Sequence, residues 1–124
     1  MSSFTIDARR VRSFPEFVEA VNAGLIRPVG GEWHGNLDAF NDYLSWPDDE
    51  QYELVIVRAD HCARALGHRA KARRLTSLLS TAHPSNLPDI CRRIADAQAG
   101  VGTTLFDDLM SIIRRSPSVR LVLR

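Results

Sequence analysis

Three short apolar segments separated by longer amphipathic ones predict an α/β fold, a small three-stranded parallel sheet packed with helices. Residues 4–7 alternate in character, residues 52–57 run almost continuously apolar, and residues 119–123 form a third apolar run. A continuous apolar strand is the pattern of one covered on both faces. The segments between the strands are long and helical in pattern, and helical crossovers of that kind join parallel strands.

The first strand, over 4–7, leads through Ala8-Arg9-Arg10 into a helix over 15–23. Ser13 stands where an N-cap belongs, and Pro15 suits an early helical position because its missing amide would go unbonded there. Phe14, Phe17, Val18 and Val21 supply the apolar face, and Gly24 follows as a stop signal. Residues 25–35, with Pro28 and three glycines, read as an irregular loop carrying Trp33 and His34. A second helix spans 36–45. After the strand at 52–57, residues 60–101 are mostly helical, with one segment over 70–80 and another opening at Pro88 and ending before Gly100. Thr104 and Asp107 have the spacing of a capping box and open the last helix, 105–115. Leu105, Phe106, Leu109, Ile112 and Ile113 form its inner face. Arg114 and Arg115 complement its C-terminal dipole, and Pro117 ends it.

A chain of 124 residues with 44% hydrophobic content is expected to form one domain over 1–124. No apolar run reaches the roughly 20 residues that span a bilayer, and the N-terminus lacks the pattern of a signal peptide. A cytoplasmic location is therefore expected, with no membrane partner. Cys62 and Cys91 are isolated and read as reduced structural thiols. His61, His68 and His83 make no ligand pattern with them, so neither a metal nor a cofactor is expected.

The net charge of +1 conceals a segregation. Residues 28–57 hold seven acids (Glu32, Asp38, Asp42, Asp48, Asp49, Glu50, Glu53) and no Lys or Arg. Residues 58–74 hold six bases (Arg58, Arg64, Arg69, Lys71, Arg73, Arg74) and a single acid, Asp60. The chain is thus expected to have an acidic side and a basic side.

The helix at 36–45 concentrates the functional signal. Asn36 is a good N-cap, and Asp38 meets the positive end of the helix dipole. Leu37, Phe40 and Leu44 make a buried stripe, while Asp38, Asn41, Asp42 and Ser45 make the opposite one. Asp38 and Asp42, four residues apart, repel at a cost of roughly 0.2–0.5 kcal/mol. A positively charged partner would give that pairing a purpose.

The run Gly35-Asn-Leu-Asp-Ala-Phe-Asn-Asp-Tyr-Leu44 resembles the recognition helix of the barstar-like family, intracellular inhibitors of ribonucleases. The order of elements over roughly 4–58 and 102–123 resembles that family too, with 60–101 as a helical insertion or elaboration. The resemblance implies an inhibitor or immunity protein that plugs the active site of a basic nuclease or toxin. Carboxylates there substitute for substrate phosphates and meet Arg and Lys side chains. It implies partner-binding roles for Trp33, His34, Asp38, Asn41, Asp42 and Ser45, with Asp42 reaching deepest. Asn41 stands where the family has a tryptophan, and Arg115 stands near the family's contacting glutamate.

Two other classes stand against this reading. A nucleic-acid-binding module would use the Arg-rich segment 58–74, but no aromatic residues interleave with those bases, so nucleic acid is not the expected partner. An enzyme would need more than His34, Asp38 and Asp42 as an acid–base set. The chain has no nucleophile motif, phosphate loop or metal-ligand spacing, and adjacent His61 and Cys62 point apart on a helix, so no catalytic residues are assigned.

Overall fold

The structure, a computed structural model, describes residues 2–47 and 51–124. Asp48, Asp49 and Glu50, three of the seven counted acids, lie outside the described residues. The elements in chain order are β1 (Ser2–Asp7), α1 (Phe14–Val21), α2 (Leu37–Tyr43), β2 (Tyr52–Val57), α3 (Ala59–Ala65), α4 (His68–Ser77), α5 (Leu87–Gln98), α6 (Leu105–Arg115) and β3 (Val119–Leu123). The sheet has the order β1-β2-β3 and is parallel throughout. Ile6 pairs with Ile56, and Leu54 pairs with Leu121. The predicted small α/β fold with a three-stranded parallel sheet is the one observed.

The composition of β2 follows from its place. As the central strand it buries Tyr52, Leu54, Val55 and Ile56. The outer strands are more exposed along their length. Helices add Phe17, Val21, Phe40, Leu109, Met110 and Ile113 to the core, with Leu44 just past the end of α2. The capping box forms as expected: the Asp107 amide donates to the Thr104 hydroxyl at 3.0 Å, and the Thr104 amide donates to the Asp107 carboxylate at 3.0 Å.

The largest departure follows α1. Gly24 does not stop the helix. The chain continues as a π-helical turn, Asn22–Ile26, and then a 3₁₀ turn, Arg27–Val29. The first part of the expected irregular loop is therefore helical. Asn22, Leu25 and Ile26 are buried along the π turn, at the i, i+3 and i+4 spacing that shares one helix face. Gly24 is needed for proximity: a Cβ there would overlap the backbone carbonyl of Thr5 in β1. The helical run ends instead at Gly30, whose φ of 90° is left-handed. Ser13 also differs from expectation, since its hydroxyl bonds the Glu16 carboxylate at 3.2 Å and no helix amide.

The segment expected as an insertion divides in two. Cys62 and Leu66 of the first part belong to the main core, as does Ala59 just before it. Ala72, Leu75, Ile90 and Ala97 are buried between α4 and α5, apart from that core. Lys71 ties α4 to the start of α6, through the Thr103 carbonyl at 3.0 Å and the Asp108 carboxylate at 3.0 Å. The cysteines also separate: Cys62 is buried and Cys91 exposed, both as free thiols, so only Cys62 is a packing thiol.

Two outcomes follow from this packing. Gly24→Ala forces a side chain against backbone that cannot rotate away, and overpacking of that kind costs typically about 1–3 kcal/mol. Urea denaturation should show a loss in that range, although alanine is the better helix former. Alkaline pH should also weaken the fold. Burial pushes the Cys62 thiol up to about 12 from its ordinary 9.0, and the Tyr52 phenol up to about 12 from 10.0. Between those values the folded state holds protons that the unfolded chain has released, so stability falls as pH rises through the window. Urea midpoints measured across that range should decline, and Cys62→Ala should make the decline shallower.

Candidate functional site

α2 is held as a unit with the loop before it. The Asn36 side chain accepts from the Ala39 amide at 3.0 Å, as an N-cap should. Phe40 and Leu44 are buried and Leu37 is half-buried. The Tyr43 hydroxyl donates to the Glu32 carbonyl at 2.8 Å, and the Tyr52 hydroxyl donates to the Leu44 carbonyl at 2.5 Å. The first bond fastens the helix to its leading loop, and the second fastens it to the central strand.

Trp33 lies in the core at 1% exposure, which corrects its assignment as a partner contact. Its ring stacks on Phe40 at 4.5 Å and meets the edges of Phe14 and Phe17. Its indole N–H donates to the Asn36 carbonyl at 2.7 Å. The buried carboxamide of Asn22 grips its backbone twice: the Trp33 amide donates to Asn22 Oδ1 at 2.7 Å, and Asn22 Nδ2 donates to the Trp33 carbonyl at 2.8 Å. An apolar loop residue of this size is a core anchor because only burial removes its surface from water.

The other five residues of the expected surface, His34, Asp38, Asn41, Asp42 and Ser45, are exposed. They do not share one site. Asp38, Asn41 and Asp42 line a groove of about 450 Å³ with Leu37, Ile112 and Arg115. His34 lines a different groove, described below. The Ser45 hydroxyl is directed back to the Asp42 carbonyl at 2.8 Å.

The carboxylates differ in their partners. Arg27 binds Glu19 and Glu32 together, with contacts of 2.7 and 2.8 Å. It holds both carboxyls below their usual range through hydrogen bonds. Glu32 is thus neutralised within the chain. Asp38 and Asp42 have no ion pair among the described residues; Arg115 lines their groove without closing to salt-bridge distance. They remain a pair of unneutralised carboxylates on a fixed helix.

Trp46, absent from the expected site, is 49% exposed and lies against Tyr43 with ring centroids 4.6 Å apart. It stands just past the end of α2. A tryptophan followed by Pro47, outside any periodic pattern, was the available signal. Among the described residues no His, Cys, Asp and Glu cluster fit for a metal ion occurs, and no helix is long and apolar enough to cross a membrane.

Protein-family models, curated proteins and solved structures yield no match to this chain.

The Asn22 grip on Trp33 sets the register of the loop that delivers α2. Leaving a buried amide and carbonyl unpaired costs roughly 1–3 kcal/mol for each group. Asn22→Ala should therefore lower the stability measured by urea denaturation by at least about 2 kcal/mol. It should also raise hydrogen-exchange rates across residues 33–40 more than in β2. Equal change throughout the chain would show that Asn22 acts on global stability alone.

Proposed function

We propose that this chain is an inhibitor or immunity protein of the barstar-like kind, binding a basic nuclease or toxin through the exposed face of α2. The observation that carries this reading is the pair Asp38 and Asp42, four apart, exposed, and free of ion pairs among the described residues. Internal pairing would have offset their repulsion, as Arg27 does for Glu19 and Glu32. A cationic active site offsets it on binding, with its Arg and Lys side chains meeting carboxylates in place of phosphates.

The resemblance of residues 35–44 to the barstar-like recognition helix supports the same reading, and so does the strand and helix order. Trp46 adds an exposed aromatic just past the end of α2, of the type enriched at interface hot spots. Such an anchor offsets the loss of the tryptophan that the family carries where this chain has Asn41. Arg115 beside Asp38 and Asp42 points to a partner whose rim differs from that of a barnase-type ribonuclease.

The test is a paired capture. Wild-type and Asp42→Ala chains serve as baits, and the captured basic protein is assayed for hydrolysis of RNA and DNA with and without added wild-type chain. Removing one member of a buried charge pair typically costs about 2–5 kcal/mol, a range that includes the barnase–barstar interface itself. Calorimetry on the purified pair should therefore show Asp42→Ala weakened by roughly 30-fold or more, Asp38→Ala weakened less, and thermal melts of both unchanged. A captured protein without nuclease activity, or one that binds Asp42→Ala as tightly as wild type, would rule the reading out.

A further inference from the structure

A second groove, larger than the acidic one, lies on the other side of the 34–36 loop. It encloses about 1080 Å³ between the start of α1, the 34–36 loop and α4. Arg12, Arg64, Arg69, Arg73 and Arg74 line it together with His34 and His68, and no carboxylate of the described residues does. Among the described residues the one ion pair of these arginines joins Arg64 to Asp60, at 3.7 Å on the open surface. Five guanidinium groups around one cavity repel each other.

One of them is also partly withdrawn from water. Arg74 is half-buried, with its guanidinium 5.6 Å from the centroid of the Phe14 ring. Its Nε is buried and has no hydrogen-bond partner among the described residues, and the same holds for Nδ1 of His68. Buried cations and polar atoms are ordinarily paired, because desolvation without a partner is costly. Asp108, the acid whose charge acts on Arg74, is already engaged by Lys71.

We infer that this groove is a binding site for a small polyphosphate ligand, of the size and charge of a nucleoside di- or triphosphate. The cationic set is arginine without lysine, and the planar guanidinium fork matches phosphate oxygens two at a time. Several arginines converge where one carboxylate would leave most of the charge unmet. The volume fits a compact ligand. A nucleic-acid track would need successive aromatic platforms, whereas the groove is lined by one phenyl ring, Phe14, already engaged by Arg74, and by no Tyr or Trp. This site is separate from the face that carries the proposed inhibitory function and stands or falls independently of it.

Calorimetry of the full chain at low ionic strength tests the inference with inorganic tripolyphosphate and ATP as probes. Both should bind saturably at one site. Arg69 and Arg73 are exposed, so the double variant Arg69→Ala/Arg73→Ala should keep its thermal melt. It should lose at least about tenfold in affinity for both probes, equivalent to about 1.4 kcal/mol. Asp42→Ala should bind both as wild type does. Absence of saturable binding to either probe would overturn the proposal, as would a double variant that binds like wild type. So would a single-stranded RNA oligonucleotide or a polyglutamate peptide that binds the groove more tightly than tripolyphosphate.

Discussion

The double hydrogen bond between Asn22 and the backbone of Trp33 is the constraint on which the surface of this protein depends. It joins the helical run after β1 to the loop before α2, across eleven positions of chain. Trp33 in turn holds the Asn36 carbonyl and the Phe40 ring. Asn36 caps α2 and Phe40 is its main buried contact, so one buried carboxamide reaches the helix through a single intermediary. A carboxamide suits this task because it offers one donor and one acceptor, spaced to match a peptide group. Satisfied on both sides, it can be buried without penalty.

Asn22 stands at the end of α1 and opens the π turn. Asn22, Leu25 and Ile26 stand at the i, i+3 and i+4 spacing that shares one helix face, and all three are buried. Gly24 complements the turn by letting it lie against the backbone of β1. A missing side chain thus admits a strand against the turn. The same segment presents Arg27, which ties Glu19 and Glu32 together on the outside. Those exposed pairs add little stability, but they remove Glu32 from the free acidic surface.

Charge is thereby sorted more sharply than composition alone conveys. Among the described residues of the acidic stretch, Glu32 is neutralised and Glu53 is half-buried in β2, which leaves Asp38 and Asp42 on α2. Within the basic stretch, Arg58 pairs with Asp60, and Lys71 pairs with Asp108. The remaining arginines line the groove beside α4. The two surfaces meet at the 34–36 loop, where His34 and Asn36 border the basic groove and α2 begins. The same loop therefore sets the position of both charge clusters.

The amino-acid sequence by itself determined the strands, most of the helices and the acidic stripe, because each is a local pattern. Unbroken apolarity marks β2, 3.6-residue spacing marks α2 and α6, and Thr104 with Asp107 makes its cap within four residues. Tertiary structure decided the rest. Trp33 reads locally as a loop aromatic, and only the distant carboxamide of Asn22 and the rings of Phe14, Phe17 and Phe40 show that it is core. Gly24 reads as a stop, and only the approach of Thr5 shows why a helix continues through it. His34 stands near Asp38 in the chain but lines another groove, and Arg12 joins Arg64 and Arg73 across more than fifty positions. Pairing, burial and convergence between distant segments depend on contacts that no local periodicity encodes.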